Sequence, residues 1–289
     1  MSVLAFILLY GVSYGLVLCL ISIGLVITMG LMRVVNLAHG AFAAIGGYLA
    51  VSLMGNAGLP FALAIAAAVG AVMLASVAVE RAFYVHLYTA PELDQVLMTI
   101  GINFVVVAGL TLFFGTNVYP IRLPPWLAAN VDLGFRSFDV YRVVTMAVCL
   151  VVIGALWLAF ERTNLGASLR AAVDNRSMAQ ATGINVPRLF SLTFAVGSGL
   201  AALGGAIGAP MLPLEPLYPF KYLVLVLVVV ALSGFGNVRA AVGVAVFVGI
   251  VDTAGRYFFP DFGAFIIYIL LIVLLIWRRQ GLFGARNAA

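Results

Sequence analysis

The 289 residues are 65% apolar and 9% charged, with 15 Lys and Arg against 10 Asp and Glu and a formal net charge of +5. A water-soluble domain carries about one-quarter charged residues. These values, with a mean hydropathy of +1.20, exclude a soluble enzyme, a disordered tail and a secreted disulfide scaffold. What they leave is an all-α polytopic membrane protein. A helix crosses a bilayer in about 20 residues, so residues 1–289 have room for about 8–10 transmembrane helices in one bundle, a single domain. Lys221 is the only lysine, and the arginines fall between apolar runs. The positive-inside rule accounts for them better than nucleic-acid binding does. Cys19 and Cys149 sit inside apolar runs, and no CxxC or Cys/His cluster offers a metal or redox site.

In chain order, the N-terminal MSVLAFILLY has no basic segment ahead of its apolar stretch, so it is not a standard secretory signal. The first charged side chain is Arg33, which predicts a first helix with its N-terminus outside. Apolar windows follow at 3–30, 35–54, 60–79, 96–115, 142–160, 189–212, 222–233, 238–257 and 262–277. Window 222–233 has the length of a re-entrant piece. If every window crosses, Arg33, Arg81, Arg162, Arg170, Arg176, Arg188, Arg239, Arg278, Arg279 and Arg286 lie inside. Arg122, Arg136, Arg142, Lys221 and Arg256 lie outside. That bias favours nine crossings with the C-terminus inside over a re-entrant 222–233.

Windows 35–54 and 189–212 carry two patterns. Asn36, His39 and Gly40 share a helix face and are expected near its cytoplasmic end. They read either as a polar gate on a translocation path or as a buried packing network with His39 bonded to a neighbouring helix. Gly197, Ala201, Gly205 and Ala209 form a small-residue stripe, with Gly46 and Ala50 a shorter one, and read as helix-packing seams. Asp252 is the only clear intramembrane acid, and Arg256 follows at i+4, so a neutralised pair is the plainer reading than a proton carrier. AAIGG at 43–47 and AALGG at 201–205 are alike, as chance allows in a chain this rich in Ala and Gly.

No GxxxxGK[ST], HExxH, GxSxG or TVGYG is present, so the chain offers no nucleotide-binding, protease, hydrolase or potassium-filter chemistry of its own. No catalytic or metal residue is assigned. The longest polar stretch is the inner loop 161–188. Thr163 and Asn164 can begin a helix there, and Arg170 and Asp174 can pair at i,i+4. SLRAAVDNRSMAQAT reads as one short helix that Gly183 stops. Such a helix either enters a groove on a soluble partner or lies on lipid headgroups.

RAAVDNRSMAQATGIN resembles the coupling loop of permease subunits in branched-chain amino acid ABC importers. The family pattern, roughly R-A-x-A-x-[DN]-x-x-x-A-x-x-x-G-I-N, takes Arg170, Ala171, Asn175, Ala179, Gly183, Ile184 and Asn185, with Val173 in place of an Ala. GLMRVVNLAHGAFAAIGGYLA is similar to the family's G-x-x-x-x-x-N-F-A-H-G-x-x-x-x-x-G-x-Y, with Leu37 for Phe. SGFGNVRAAVG is similar to G-G-x-G-S-x-x-G-A, departing at Ser233, Asn237 and Ala240, and RRQGLFG to R-P-x-G-L-F-G, with Arg279 for Pro. The four segments run in family order.

This resemblance implies a non-enzymatic transmembrane subunit of a bacterial inner-membrane importer. Its partners would be a second, often non-identical permease, two cytoplasmic ATPases and a periplasmic binding protein, in a lipid membrane and without nucleic acid. ATP and Mg would be used by the ATPases, and this chain would bind no cofactor. Arg170, Asn175, Ala179, Gly183 and Ile184 would couple to an ATPase, with Asp174 and Arg176 on the same helix. The cargo would be leucine, isoleucine, valine or a related small hydrophobic amino acid. Urea, short amides and aromatic acids are the alternatives within the family, and an ion-driven secondary carrier the alternative outside it.

Overall fold

A computed structural model describes residues 2–32, 34–88, 90–132, 137–234 and 236–277. Arg33, Arg136 and the C-terminal RRQGLFG, with Arg278, Arg279 and Arg286, lie outside the described residues. Each apolar window carries a helix. α1 spans Ser2–Met32, α2 His39–Asn56 and α3 Phe61–Val79. α3 continues through a π-helical turn, Glu80–Tyr84, into α4, Val85–Leu87. α5 is Glu92–Phe114, and a hairpin of β1 (Asn130–Asp132) and β2 (Ser137–Asp139) precedes α6, Val140–Arg162. The polar loop holds α7 (Asn164–Asp174) and α8 (Arg176–Ala181). α9 is Val186–Gly208, α10 Tyr218–Ser233, α11 Val238–Phe258 and α12 Gly263–Trp277.

Among the described residues six helices are long and apolar enough to cross a membrane: Val3–Gly30, Phe61–Leu87, Glu92–Phe114, Val140–Arg162, Val186–Gly208 and Val238–Phe258. α10 and the core of α12 are shorter. α10 nevertheless joins opposite ends of the bundle. Leu214, just before it, pairs its backbone with Tyr119, and Tyr222 lines a cavity with Tyr14 and Arg142. After it, the Gly236 N–H donates to the Val26 carbonyl at 3.1 Å, and Arg239 pairs with Glu161 at 3.1 Å. The end bearing β1–β2 is called the hairpin end below, and the end bearing α7 and α8 the loop end.

The core is built on α9 and α1, whose backbones approach closely because glycine removes the intervening side chain. A Cβ on Gly24 would stand 2.3 Å from the Gly197 carbonyl oxygen. The antiparallel α1–α11 contact depends on Gly11, Gly15 and Gly249: a Cβ on Gly249 would meet Gly11 O and Gly15 Cα, each at 2.5 Å. α5 and α6 instead turn apolar side chains outward, among them Val105, Leu112, Leu150 and Val151. Large exposed apolar surface of this kind suits contact with lipid or another membrane chain.

Candidate functional site

α1 and α2 do not run into one another. Residues 34–36 have no regular structure and a turn at Leu37–Ala38 leads into α2. Irregular backbone at membrane depth is stable only where its N–H and C=O groups find partners inside the protein. α5 supplies them from one face. Gln95 Oε1 accepts from the Val35 N–H at 2.8 Å, Thr99 Oγ1 from the Leu37 N–H at 3.2 Å, and Asn103 Nδ2 donates to the Leu37 carbonyl at 2.9 Å. Gln95 Nε2 also donates to the Leu87 and Ala90 carbonyls, tying down the link from α4 to α5.

Asn36 lies in this break, His39 and Gly40 open α2 directly after it, and all three are buried. Asn36 Oδ1 accepts from the Tyr84 hydroxyl at 2.7 Å, and His39 Nε2 donates to the Ile21 carbonyl at 2.8 Å. A Cβ on Gly40 would meet the Pro219 carbonyl oxygen at 2.8 Å, so α2 and α10 touch there. The expectation that the triplet shares one helix face near a cytoplasmic end is corrected: Asn36 precedes α2, and His39 and Gly40 start it. Ile21 and Asn103 belong to the middle of α1 and α5, so the break is at mid-depth. α2 starts there because the segment before it is extended along α5. The π turn explains the position of Tyr84. It also buries Glu80, which accepts hydrogen bonds from the Tyr88 hydroxyl and, at 2.7 Å, from Ser191 Oγ. Asp252 is therefore not the only buried acid.

At the loop end, the single helix expected over 168–182 is two. Asn175 leaves the helical conformation, at φ −150° and ψ 99°, and caps α8 by accepting from the Met178 N–H at 3.0 Å. A side-chain oxygen that satisfies a free helix N–H favours such a boundary. The expected Arg170–Asp174 pair is not the contact Arg170 makes; its Nη1 donates to the Phe160 carbonyl at 2.7 Å. α7 packs so tightly on the end of α6 that a Cβ on Gly166 would stand 1.8 Å from the Phe160 oxygen. The Gly166, Leu169 and Ala172 side of α7 is buried, and Asp174 is exposed at its end.

α8 ends on Gly183 at φ +89°, with the Ile184 N–H donating to Ala179 O and the Gly183 N–H to Gln180 O, both at 3.0 Å. This is the Schellman arrangement, and its left-handed position favours glycine. Ala179 is buried and Ile184 packs on the core. The Arg176 guanidinium lies 5.5 Å from the Phe190 ring centre, which links α8 to α9. Asn185 caps α9, accepting from the Arg188 N–H at 3.1 Å. Asn237, where the family pattern has Ser, caps α11 in the same way at 3.0 Å, so that departure keeps the capping chemistry.

The small-residue stripe on α9 divides between neighbours. Gly197 faces Gly24 of α1; Gly205 faces α2, where its Cβ would stand 2.0 Å from the Ala43 oxygen. Gly46 meets Ala202, and Ala201 and Ala209 are buried. Two cavities mark the ends of α11. One of about 450 Å³ at the loop end is lined by Trp157, Glu161, Arg170, Asn237 and Arg239. One of about 700 Å³ at the hairpin end includes Tyr14, Arg142, Asp252 and Arg256. Asp252 and Arg256 pair at 2.9 Å, as their spacing predicts. Asn36, His39 and Gly40 line neither. Among the described residues no three His, Cys, Asp or Glu side chains gather to hold a metal.

The helices, the broken α1–α2 junction and the capped loop are the setting for one further observation. Residues 7–275 match the family described as branched-chain amino acid transport system / permease component. The chain belongs to this family. The permease is 25% identical to the high-affinity branched-chain amino acid transport system permease protein LivH of Escherichia coli K12, over 95% of this chain and 93% of that one. It is 25% identical to BraD, the corresponding permease protein of Pseudomonas aeruginosa, over 95% and 94%. A probable LivH of Methanocaldococcus jannaschii is 25% identical over 95% and 90%. No solved structure matches it.

Sequence reasoning missed four parts of the permease. Gln95, Thr99 and Asn103 are spaced i, i+4, i+8 in an apolar window, a pattern visible in QVLMTIGIN. Gly11 and Gly15 form a G-x-x-x-G in GVSYG. Met178, 61% exposed on α8, and the Glu80 cluster have no such signal, because one depends on the outward side of a six-residue helix and the other on Ser191, far away in sequence.

Proposed function

We propose that the permease is the transmembrane subunit of an ATP-driven importer for branched-chain or related small hydrophobic amino acids. ATP and Mg are used by two separate cytoplasmic ATPases, a second permease chain completes the pathway, and a periplasmic binding protein delivers cargo. The protein lies in the bacterial inner membrane, the hairpin end outside and the loop end, with the C-terminus, in the cytoplasm. The whole chain acts as one transmembrane domain, with 161–188 as its coupling loop.

The observation that carries this reading is the form of that loop. Two short helices, separated by a capping Asn175 and closed by Gly183, project from the bundle. Gly166, Leu169 and Ala172 of α7 are buried in the protein, and Leu165 is the one large apolar side chain it leaves exposed. What α8 presents outward is Ser177, Gln180 and the exposed Met178. A short capped helix with one protruding apolar side chain suits a groove on a partner. Arg170, Asp174, Asn175, Arg176, Ala179, Gly183 and Ile184 shape it, and Asn36, His39 and Gly40 hold the mid-depth break beside the path.

The test is co-purification of the tagged chain with the products of its neighbouring genes, followed by uptake and ATP hydrolysis in vesicles. ATPase chains and a second permease are expected in the complex. Asn175→Ala removes a cap worth about 1 kcal/mol and is expected to leave membrane insertion intact while hydrolysis proceeds without uptake. A chain that purifies alone, or an Asn175→Ala protein with normal uptake per ATP, overturns the reading.

A further inference from the structure

The cavity at the hairpin end has no part in the coupling loop, yet it is the larger of the two and the more specifically lined. At about 700 Å³ it is within the range of small-molecule sites. Its lining carries three cations, Arg142, Lys221 and Arg256, each paired with an acid, Asp139, Glu215 and Asp252 in turn, of which only Asp252 itself lines the cavity. That acid is buried, its side chain 6% exposed, and already joined to Arg256 Nε at 2.9 Å. Arg142 is also held through Nε, by Asp139 at 3.0 Å, and its guanidinium lies 4.2 Å from the Tyr10 ring centre.

Both arginines are therefore fixed by the Nε edge. The Nη nitrogens form the other edge of the planar fork that binds a carboxylate with two parallel hydrogen bonds. Apart from Thr253 the rest of the wall is apolar or aromatic, with Leu225 and Ile267 as well as Tyr14 and Tyr222. A ligand with a carboxylate next to an apolar body matches both parts. A small neutral amide has no charge to offer the cations and too little body to fill the space.

We infer that the hairpin-end cavity is a binding site for small carboxylates with an apolar or aromatic body, Arg142 and Arg256 taking the acid group. The inference rests on the importer reading for its purpose, as a station for cargo. It narrows that cargo to acids and sets urea and short amides aside. Amino acids and simple aromatic acids share the chemistry and are separated by experiment.

Thr253 lines the cavity, and both native cysteines, Cys19 and Cys149, are buried, so Thr253→Cys gives one reporter thiol. The purified complex carrying it is treated with a neutral maleimide in the presence of L-leucine, benzoate or urea. L-leucine, benzoate or both are expected to slow modification about tenfold, and urea not at all. Protection by leucine alone identifies a zwitterion site, and by benzoate alone a simple-acid site. Adding Arg142→Gln, or Arg256→Gln as an independent variant, is expected to raise the protecting concentration about tenfold, since a charge-assisted hydrogen bond is worth about 1.5–3 kcal/mol. Protection by none of the three, equal protection by urea, or protection indifferent to both charge variants overturns the inference. ATP hydrolysis and uptake are followed in the same preparation. Transport without protection defeats the cavity alone; protection without associated ATPases defeats the importer reading alone.

Discussion

Gly205 shows how little room single residues have in this core. A Cβ there would stand 2.0 Å from the Ala43 carbonyl oxygen, a backbone atom that no rotamer change can move. Gly205→Ala is therefore expected to separate α9 from α2 and to cost about 1–3 kcal/mol, the usual range for overpacking. Gly70→Ala makes the control, because nothing lies within 4 Å of the added carbon on α3. There the better helix propensity of alanine is expected to leave stability unchanged or raise it by up to about 1 kcal/mol. Thermal unfolding of the two proteins in detergent checks the pair, and equal midpoints would contradict the packing argument. The stripe itself was readable from its spacing. Its division between α1 and α2 was not, because Gly197 and Gly205 are eight residues apart and the helix turns between them.

Among elements, α5 explains why the chain can leave helical conformation before α2. Its Gln95, Thr99 and Asn103 act as a ladder for the backbone of 35–37. Gln95→Leu would remove the partner of the Val35 N–H and the Gln95 donor from the Leu87 and Ala90 carbonyls, of which Leu87 keeps the Ala90 N–H. Intramembrane hydrogen bonds are worth about 0.6–2 kcal/mol each, so a total loss of about 1–3 kcal/mol is expected in the same unfolding assay. An unaffected Gln95→Leu protein would show that the break is held elsewhere. Hydropathy located α1, α2 and α5, because burial in lipid or core needs apolar residues whatever their partners. It could not locate the break, whose depth is set by hydrogen bonds between residues about 60 positions apart. The loop gave a mixed result for a related reason. Gly183 as a stop was local and legible; Arg170 choosing the Phe160 carbonyl over Asp174 depended on how α7 folds back onto α6.

For the whole molecule, α10 decides the arrangement of both ends. It has only 16 residues, about 24 Å of helix at 1.5 Å per residue. Its flanking segments complete the passage, with Leu214 paired to Tyr119 on one side and Gly236 bonded to Val26 on the other. Single cysteines at Ser177 and Arg239 are therefore expected to react from the same side of sealed vesicles, and one at Lys221 from the other. A cysteine at Arg239 that reacts together with one at Lys221 would make α10 re-entrant. The positive-inside count already favoured a crossing, and Arg239, paired with Glu161 and set over the Trp157 ring, joins the segment after α10 to the end of α6.

The close contact of α11 with α1 gives that helix the mechanics of a lever. Gly249 rests against Gly11 and Gly15 with no side chain between the backbones, and this is the natural fulcrum. Arg239 lies ten residues to one side, an arm of about 15 Å, and Arg256 seven residues to the other, an arm of about 10 Å. Any rocking about Gly249 moves the two arginines in opposite senses, in a ratio of about three to two. A push that shifts Arg239 by about 3 Å beside Glu161 then displaces Arg256 by about 2 Å in the opposite sense.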